Sequence, residues 1–495
     1  MHYSSEDGKH KPGGLKMTDQ TTTPKSRGLE IADLPERKLP FWQMTGPGAV
    51  LVGLSIGAGE IIIWPRIVAE YGSTMVWAAV VGVFLQLWIN FEVGRWTIVT
   101  GESVFAGFCR VWKGFAQVFI FLTIFSWVAP GWGKASGLAL KALLVGPDGF
   151  GSGAFWTAVT FGAVALLLFG PKVVYQGVEK TVEALVIVVT VGLVVVAIAV
   201  GTAAHWAELG RGVVNVGYID PGMNVKGLFI AMVFAGAGGT ANLFYTFYLR
   251  DKHIGMGARI PSMLNPIRGK SEKIPTTGYV YDDANPENAR RFRDWFRYVK
   301  VDQTLYFWVL NSVTMLLFIF GSLCVLHPQG IVPAEGTLIY DEAEVLAVVW
   351  GKAGRIIFLL VGVATLFSTQ LALVDGCSRS LADIVYFNFP KAQKRDLSWW
   401  YMIIAGLWIV VGVTLTWFME QRNITELGFL FHTAYIGGFA MAIYTPLLLY
   451  MNQRYLPKSA RPGPVCTFFM IVAALVYVGF AVACILWELG LLPGA

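Results

Sequence analysis

The sequence predicts an all-α integral membrane protein in which two inverted halves of five helices are followed by an eleventh. Three observations lead there. Of the 495 residues, 55% are hydrophobic and 14% charged, too little charge to cover the surface of a soluble protein of this length. Apolar stretches of about 20 residues, the length that crosses a bilayer, recur along the chain. Two of these stretches, five spans apart, are interrupted by glycine clusters that end on a polar side chain: GAGE at 57–60 and AGAGGTAN at 235–242.

In chain order, spans are expected at 46–67, 74–99, 115–140, 154–170, 182–203, 227–249, 303–326, 353–375, 399–419, 428–450 and 465–487. They divide the chain into a polar tail (1–40), a first half (41–203), an outer linker (204–226), a second half (227–450) and an additional C-terminal helix (451–495). Lys9, Lys11, Lys16, Arg37, Lys38, Arg110, Lys113, Lys172, Lys180, Lys391, Lys394, Arg395, Arg454, Lys458 and Arg461 flank alternate ends of the spans. The linker 328–345 carries Glu335, Asp341, Glu342 and Glu344 but no Lys or Arg. This bias predicts a cytoplasmic N-terminus and an external C-terminus in the inner (plasma) membrane. It also accounts for the net charge of +6 without nucleic acid. No signal peptide is expected in residues 1–40. The long polar loop 251–302 reads as cytoplasmic, and its RRFRDWFRYVK end (290–300) as a segment suited to anionic lipid. Five scattered cysteines without a CxxC pair read as small apolar residues, not a metal site or disulfide framework.

The interruptions carry the functional reading. An isolated Gly-x-Gly in a membrane helix favours close helix packing. Two clusters at corresponding positions instead suggest two broken helices facing one another, the sign of an inverted-repeat transporter. Unwound backbone is tolerated at that depth only where protein or a water-filled cavity satisfies it. A carboxylate there costs several kcal/mol unless it has a role. The expected substrate site is therefore Gly57, Ala58, Gly59 and Glu60 opposite Gly236, Gly238, Gly239 and Asn242. Helices are expected to unwind at 56–60 and 236–241, with Glu60 and Asn242 as cation ligands facing each other. Gln370 and Asn311 offer further amide oxygens.

Coupling or gating roles are weighed for four more residues. Lys134, among small residues in APGWGKASG, can pair with Glu60, pair elsewhere or snorkel. Glu92 and Arg95, three apart on a helix, read first as a structural or inner-gate salt bridge. His432 reads as a buried, hydrogen-bonded histidine, with a proton relay as the alternative. Asp375, Arg379 and Asp383 share a helix face and read as stabilising that helix end.

Several stretches resemble the Nramp family of divalent-metal transporters, in the family's order, over residues 42–455. They are GPG at 46–48, LQLWINFEVGRWTIVTGES at 85–103 and YQGVEKTVEAL at 175–185. Asn311, the Ser368-Thr369-Gln370 pattern and Pro446 continue the match. The resemblance implies a LeuT-like fold and divalent-metal transport, with protons as the leading coupling candidate. The family's Asp-Pro-Gly-Asn falls here on Gly57, Ala58, Gly59 and Glu60, and its Met-Pro-His-Asn on Gly239, Thr240, Ala241 and Asn242. Its third-span acidic residues fall near Ala129 and Trp132. An aspartate, a thioether and a histidine are thus replaced, and oxygen donors suit a hard cation or an organic ammonium group. The sequence also resembles the wider amino-acid/polyamine/cation transporter group, whose breaks hold an organic solute such as an amino acid.

The expectation is a secondary active transporter of a divalent cation with an atypical site, the alternative being a small organic solute or metal chelate. No catalytic constellation and no GxxxxGK[ST] loop is present. Neither an enzyme, a cofactor nor ATP drive is expected, paired breaks argue against a channel, and the chain is read as a monomer in the lipid bilayer.

Overall fold

The computed structural model describes residues 28–491, apart from 38–39, 41–45, Ala58, Lys172, 264–272 and 335–336. Every expected span coincides with a helix or a broken helix. The first span comprises Pro47–Ser55, a π-helical turn Gly59–Ile63 and Trp64–Tyr71. The second is Val76–Thr100 and ends on Gly101 in the left-handed conformation. The fourth and fifth are Gly153–Phe169 and Val174–Val200. The sixth is broken into Val225–Val233, a 3-10 segment Gly239–Phe244 and Tyr245–Asp251. The last three are Leu397–Gln421, Glu426–Tyr455 and Pro464–Glu488.

Both expected breaks are present, and the second is shifted. Backbone leaves the helix from Phe234 to Gly238 and re-enters at Gly239, two residues before the expected 236–241 window. The third span is not continuous. It divides into Phe115–Trp127 and Gly131–Leu144, because Pro130 has no N–H to continue the ladder. The seventh begins at Pro286, far before the expected 303, and runs to Gln329 through two π-helical stretches. Along residues 290–300 one face, Phe292, Trp295, Phe296, Tyr298 and Val299, is buried against the bundle, while Arg290, Arg293, Arg297 and Lys300 stay exposed. The eighth span is lengthened to Glu344–Asn388, with a kink where Gly351 has φ 55°, a conformation that favours glycine.

Packing separates two groups of helices. The third, fourth, eighth and ninth spans pack on one another, while the first, second, sixth and seventh form a bundle against them. Apolar side chains of the fifth, ninth and eleventh spans, such as Val191, Ile198, Val410, Trp417 and Leu475, point outward, as lipid-facing helices require.

Part of the segment read as a polar tail is tied down. Glu30–Ile31 pairs in parallel with Tyr279–Val280. Asn288 accepts from the Leu34 N–H at 3.0 Å and donates to Asp33 Oδ1 at 2.8 Å. Trp295 donates to the Pro35 carbonyl at 2.8 Å. Residues 28–37 thus form a strap over the start of the seventh span, on what is called here the strap face. None of the five cysteines is in a disulfide.

Candidate substrate site between the two broken helices

The two breaks meet around a cavity of about 20 Å³, room for one water molecule or one ion. Main chain from both breaks (Gly57, Gly59, Phe234, Gly236, Ala237) makes its polar wall, with Ser55 and Thr369. Trp127, Trp132, Leu373 and Leu430 close it. The glycines are there because the backbones touch. A Cβ on Gly59 would lie 2.0 Å from the Phe234 carbonyl oxygen, and one on Gly57 would lie 2.3 Å from Thr369 Oγ1.

Four side chains hold the sixth-span break open. Gln86 Oε1 accepts from the Gly238 N–H at 3.1 Å and from Asn242 Nδ2 at 3.0 Å. Gln86 Nε2 donates to the Val233 carbonyl at 3.0 Å and to Met232 at 3.4 Å. One amide thus satisfies groups on both sides of the unwound stretch, where Gly238 and Gly239 have φ 67° and 48°. Tyr444 donates to the Gly239 carbonyl at 2.8 Å, and Trp127 to Thr240 at 2.9 Å. Asn311 joins the two breaks: its Oδ1 accepts from Ser55, and its Nδ2 donates to the Ala235 carbonyl at 3.1 Å.

The expected pairing of Glu60 with Asn242 across the cavity is not formed, and neither residue lines it. Glu60 follows the Gly59 wall and turns toward the seventh span, where the Thr314 hydroxyl lies beside it. It is fully buried, and its oxygens accept no hydrogen bond from any described residue. Asn242 spends its amide on Gln86 and on Tyr444, 3.4 Å away. Asn311 is a staple between the breaks. Gln370 lies outside the cavity, near Gly133, with both amide atoms unpartnered among the described residues. Gly57, Gly59 and Gly236 line the cavity, Gly238 and Gly239 shape the break, and Ala58 lies outside the described residues.

The gating candidates are placed differently from some expectations. Lys134 does not reach Glu60. It pairs with Glu426 at 3.5 Å and donates to the Ile424 carbonyl at 2.9 Å, because the third-span break turns it toward the tenth span. Glu92 and Arg95 do pair, at 2.9 Å. Arg95 also donates to the Ala460 carbonyl and covers the Phe296 ring, while Glu92 accepts from Asn452. That is a clasp between the second, seventh and tenth spans, remote from the cavity. His432 is exposed, not buried, and borders an apolar crevice beside Pro130. Helical periodicity puts it on the outer side of the tenth span, opposite the buried Thr433 and Ala434.

Sequence reasoning missed Gln86, Ser55, Tyr444, Trp127 and Thr369 as parts of the site. Gln86 had a legible signal, an uncharged polar residue in the middle of an apolar span. The others are ordinary membrane-helix residues whose roles arise only from facing helices.

Toward the strap face, buried ion pairs join the sixth and eighth spans. Arg250 meets Asp383 at 2.9 Å, while Arg379 meets both Asp251 and Asp375, the latter at 2.8 Å. These pairs fasten the end of the sixth span to the eighth. Asp375, Arg379 and Asp383 therefore act between helices as well as within one.

The model of the natural resistance-associated macrophage protein-like (Nramp) family matches residues 50–487. The chain belongs to that family. It is a secondary active, Nramp-type metal transporter embedded in a lipid bilayer, not an enzyme. A manganese transporter from Eremococcus coleocola in complex with an aromatic bis-isothiourea substituted compound is similar, with a TM-score of 0.63 at 15% identity, covering 96% of this chain and 93% of that one. Two structures of mutants of that transporter are equally similar, with a TM-score of 0.63 at 14% identity, covering 95% of this chain and 93% of theirs. No curated protein matches the chain in sequence. The shared fold is the LeuT-like inverted repeat, with its discontinuous helices and an extra C-terminal helix. Among the described residues no group of three or more His, Cys, Asp or Glu could hold a metal ion.

Proposed function

We propose that this Nramp-family chain carries a hard divalent cation of the Mg²⁺ or Mn²⁺ class through the cavity between its two breaks, by alternating access. The observation that carries the reading is the cavity: about 20 Å³, with main chain of both breaks, Ser55 and Thr369 as its polar wall and Trp127, Trp132, Leu373 and Leu430 closing it. That volume has room for a single small ion. With no thioether, imidazole or thiolate among the lining residues, oxygen donors remain, and these suit hard cations. The manganese transporter of the same fold supports a divalent metal as the substrate class.

Glu60 supplies the charge in this reading. It sits in a π-helical turn directly after the Gly59 wall, and such turns recur at functional sites. Relaxing the extra residue of that turn into an α-helix would swing Glu60 by about 100° around the axis. A carboxylate that has no partner when turned away is poised for that movement. The strap face is read as cytoplasmic and the C-terminus as external, by the positive-inside bias.

Purified protein is titrated with Mg²⁺, Mn²⁺, Fe²⁺, amino acids and metal chelates, and uptake of each binder is followed in sealed liposomes. Mg²⁺ or Mn²⁺ is expected to bind and accumulate, and Glu60→Gln to weaken binding about tenfold or more. If an organic solute binds and is carried while simple divalent ions are not, the metal reading fails.

A further inference from the structure

A second cavity, far larger than the substrate cavity, opens at the strap face. Its volume is about 1000 Å³, the size of a pocket for an organic molecule and not for an ion. The end of the second span, the linking helix Val104–Val111, the start of the third span and residues 387–390 at the end of the eighth enclose it. It adjoins the strap: Arg110 on its wall donates to Thr277 Oγ1 at 3.0 Å, and Thr277 donates to the Gly28 carbonyl at 2.5 Å.

Its walls are of two kinds. Arg110, Lys113 and Glu102 supply charge, while Trp112, Phe387 and Phe389 are aromatic. Glu102 does not make the cavity acidic, because Arg110 Nε donates to it at 2.8 Å and the Gly278 N–H at 2.7 Å. Lys113 is exposed and makes no ion pair among the described residues. Lys391, directly after the lining residue Pro390, is exposed as well. The balance of charge in and around the cavity is positive.

The third span fixes its level in the bilayer. Gln117, Phe121 and Phe125 recur at four-residue spacing, so they share one helix face. All three are exposed, and the rings of Phe121 and Phe125 stack at 4.3 Å. The two rings face lipid, and Gln117, one turn nearer the strap face, lines the cavity. The mouth therefore lies where acyl chains give way to headgroups. Trp112, exposed and edge-on to Phe115 at 5.2 Å, stands at the same level, where tryptophan is favoured.

We propose that this cavity binds an anionic phospholipid, its phosphate held by Lys113 beside Arg110 and its upper acyl chains against Trp112, Phe387 and Phe389. A headgroup with net negative charge complements the positive wall, whereas a zwitterionic one brings its own cation and gains less. The strap face is also the side read as cytoplasmic, the leaflet whose anionic lipids give a negative surface potential. The site lies on the seam between the two helix groups. Glu102 follows the second span, in one group, while Lys113 and Phe387 flank the third and eighth, in the other. A lipid seated across that seam ties the groups together and stabilises the folded protein by mass action.

The proposal goes beyond the transport reading, and its test on purified full-length protein needs no transported substrate. Delipidated protein in detergent is mixed with equal amounts of phosphatidylglycerol and phosphatidylcholine, and the lipid it retains is measured by native mass spectrometry. The thermal midpoint is followed with phosphatidylglycerol, phosphatidylcholine or inorganic phosphate added. Wild type should prefer phosphatidylglycerol and gain thermal stability from it alone. Lys113→Gln, at an exposed position, should fold normally and lose that preference about fivefold, while Lys113→Arg keeps it. Lys458→Gln, at an exposed residue beside the Tyr281–Ser459 contact on the same face, should bind as wild type does. Equal retention of the two lipids by wild type overturns the site. So does an equal loss in Lys113→Gln and Lys458→Gln, which would reduce the effect to general surface charge. A midpoint raised as far by inorganic phosphate as by the lipid would make a free anion the ligand and overturn the lipid assignment. None of these outcomes depends on which cation is carried, so the two readings fail separately.

Discussion

At the residue scale, Gln86 does most to hold the unwound stretch of the sixth span. Its carboxamide meets one N–H, one side-chain amide and two carbonyls across the break. Gln86→Leu keeps the volume but strands those groups in a dry interior, each at about 1–3 kcal/mol. The expected outcome is a lower thermal midpoint in detergent and weaker divalent binding, with the fold retained. An unchanged midpoint would show that the break is held by Tyr444, Trp127 and Asn311 alone. Glu60 is the opposite case, a buried carboxyl with only the Thr314 hydroxyl beside it. Glu60→Met removes that penalty, so it should raise the thermal midpoint while abolishing transport. A variant less stable than wild type would mean that Glu60 makes contacts its surroundings need.

At the element scale, the close approach of the two breaks can be tested with glycines. Gly59→Ala would put its Cβ 2.0 Å from the Phe234 carbonyl oxygen. Since the obstacle is backbone, the breaks must separate, at about 1–3 kcal/mol or more, and the cavity loses its geometry. Gly210→Ala, in the helix Ala203–Val214 with nothing within 4 Å of the added Cβ, should be neutral or stabilising by about 0.4–1 kcal/mol. Equal effects of the two on uptake would sink the close-approach argument. The strap is a second element with a simple test. Asn288→Leu removes its bonds to Leu34 and Asp33 and should make residues 28–37 more susceptible to limited proteolysis, leaving the membrane helices intact. The Asn288 bond to Asp33, then that of Asn285, hold the Asp33 carboxyl below its ordinary pKa. Their contribution is present above the ordinary value and is lost as pH falls through the lowered one.

At the scale of the whole molecule, the ion pairs of Arg250 and Arg379 join the sixth-span end to the eighth span at the strap face. Opening that face must break them. Asp251→Asn weakens one pair without emptying the site, so a cysteine introduced at Leu373, on the cavity wall, should react faster with a thiol reagent supplied from the strap face. Unchanged labelling would mean that the pairs hold the fold and not the gate.

The sequence by itself determined what depends on local chemistry: membrane helices from apolar length and two breaks from paired glycine clusters. It also pointed to the buried carboxylate at Glu60. It misplaced the start of the seventh span, because RRFRDWFRYVK has the composition of a surface segment. Only packing against Arg95 and the strap buries one face of it. What the tertiary structure alone decided is which groups meet. Glu60 points to Thr314, Asn242 belongs to Gln86, Lys134 belongs to Glu426, and Thr369 reaches the carbonyls of the first break. The reason is geometric. A helix advances about 100° per residue, so a shift of one residue at a break, or one π-helical turn, rotates a side chain from one neighbour to another. Spacing along the chain records neither the rotation nor the helix on the other side.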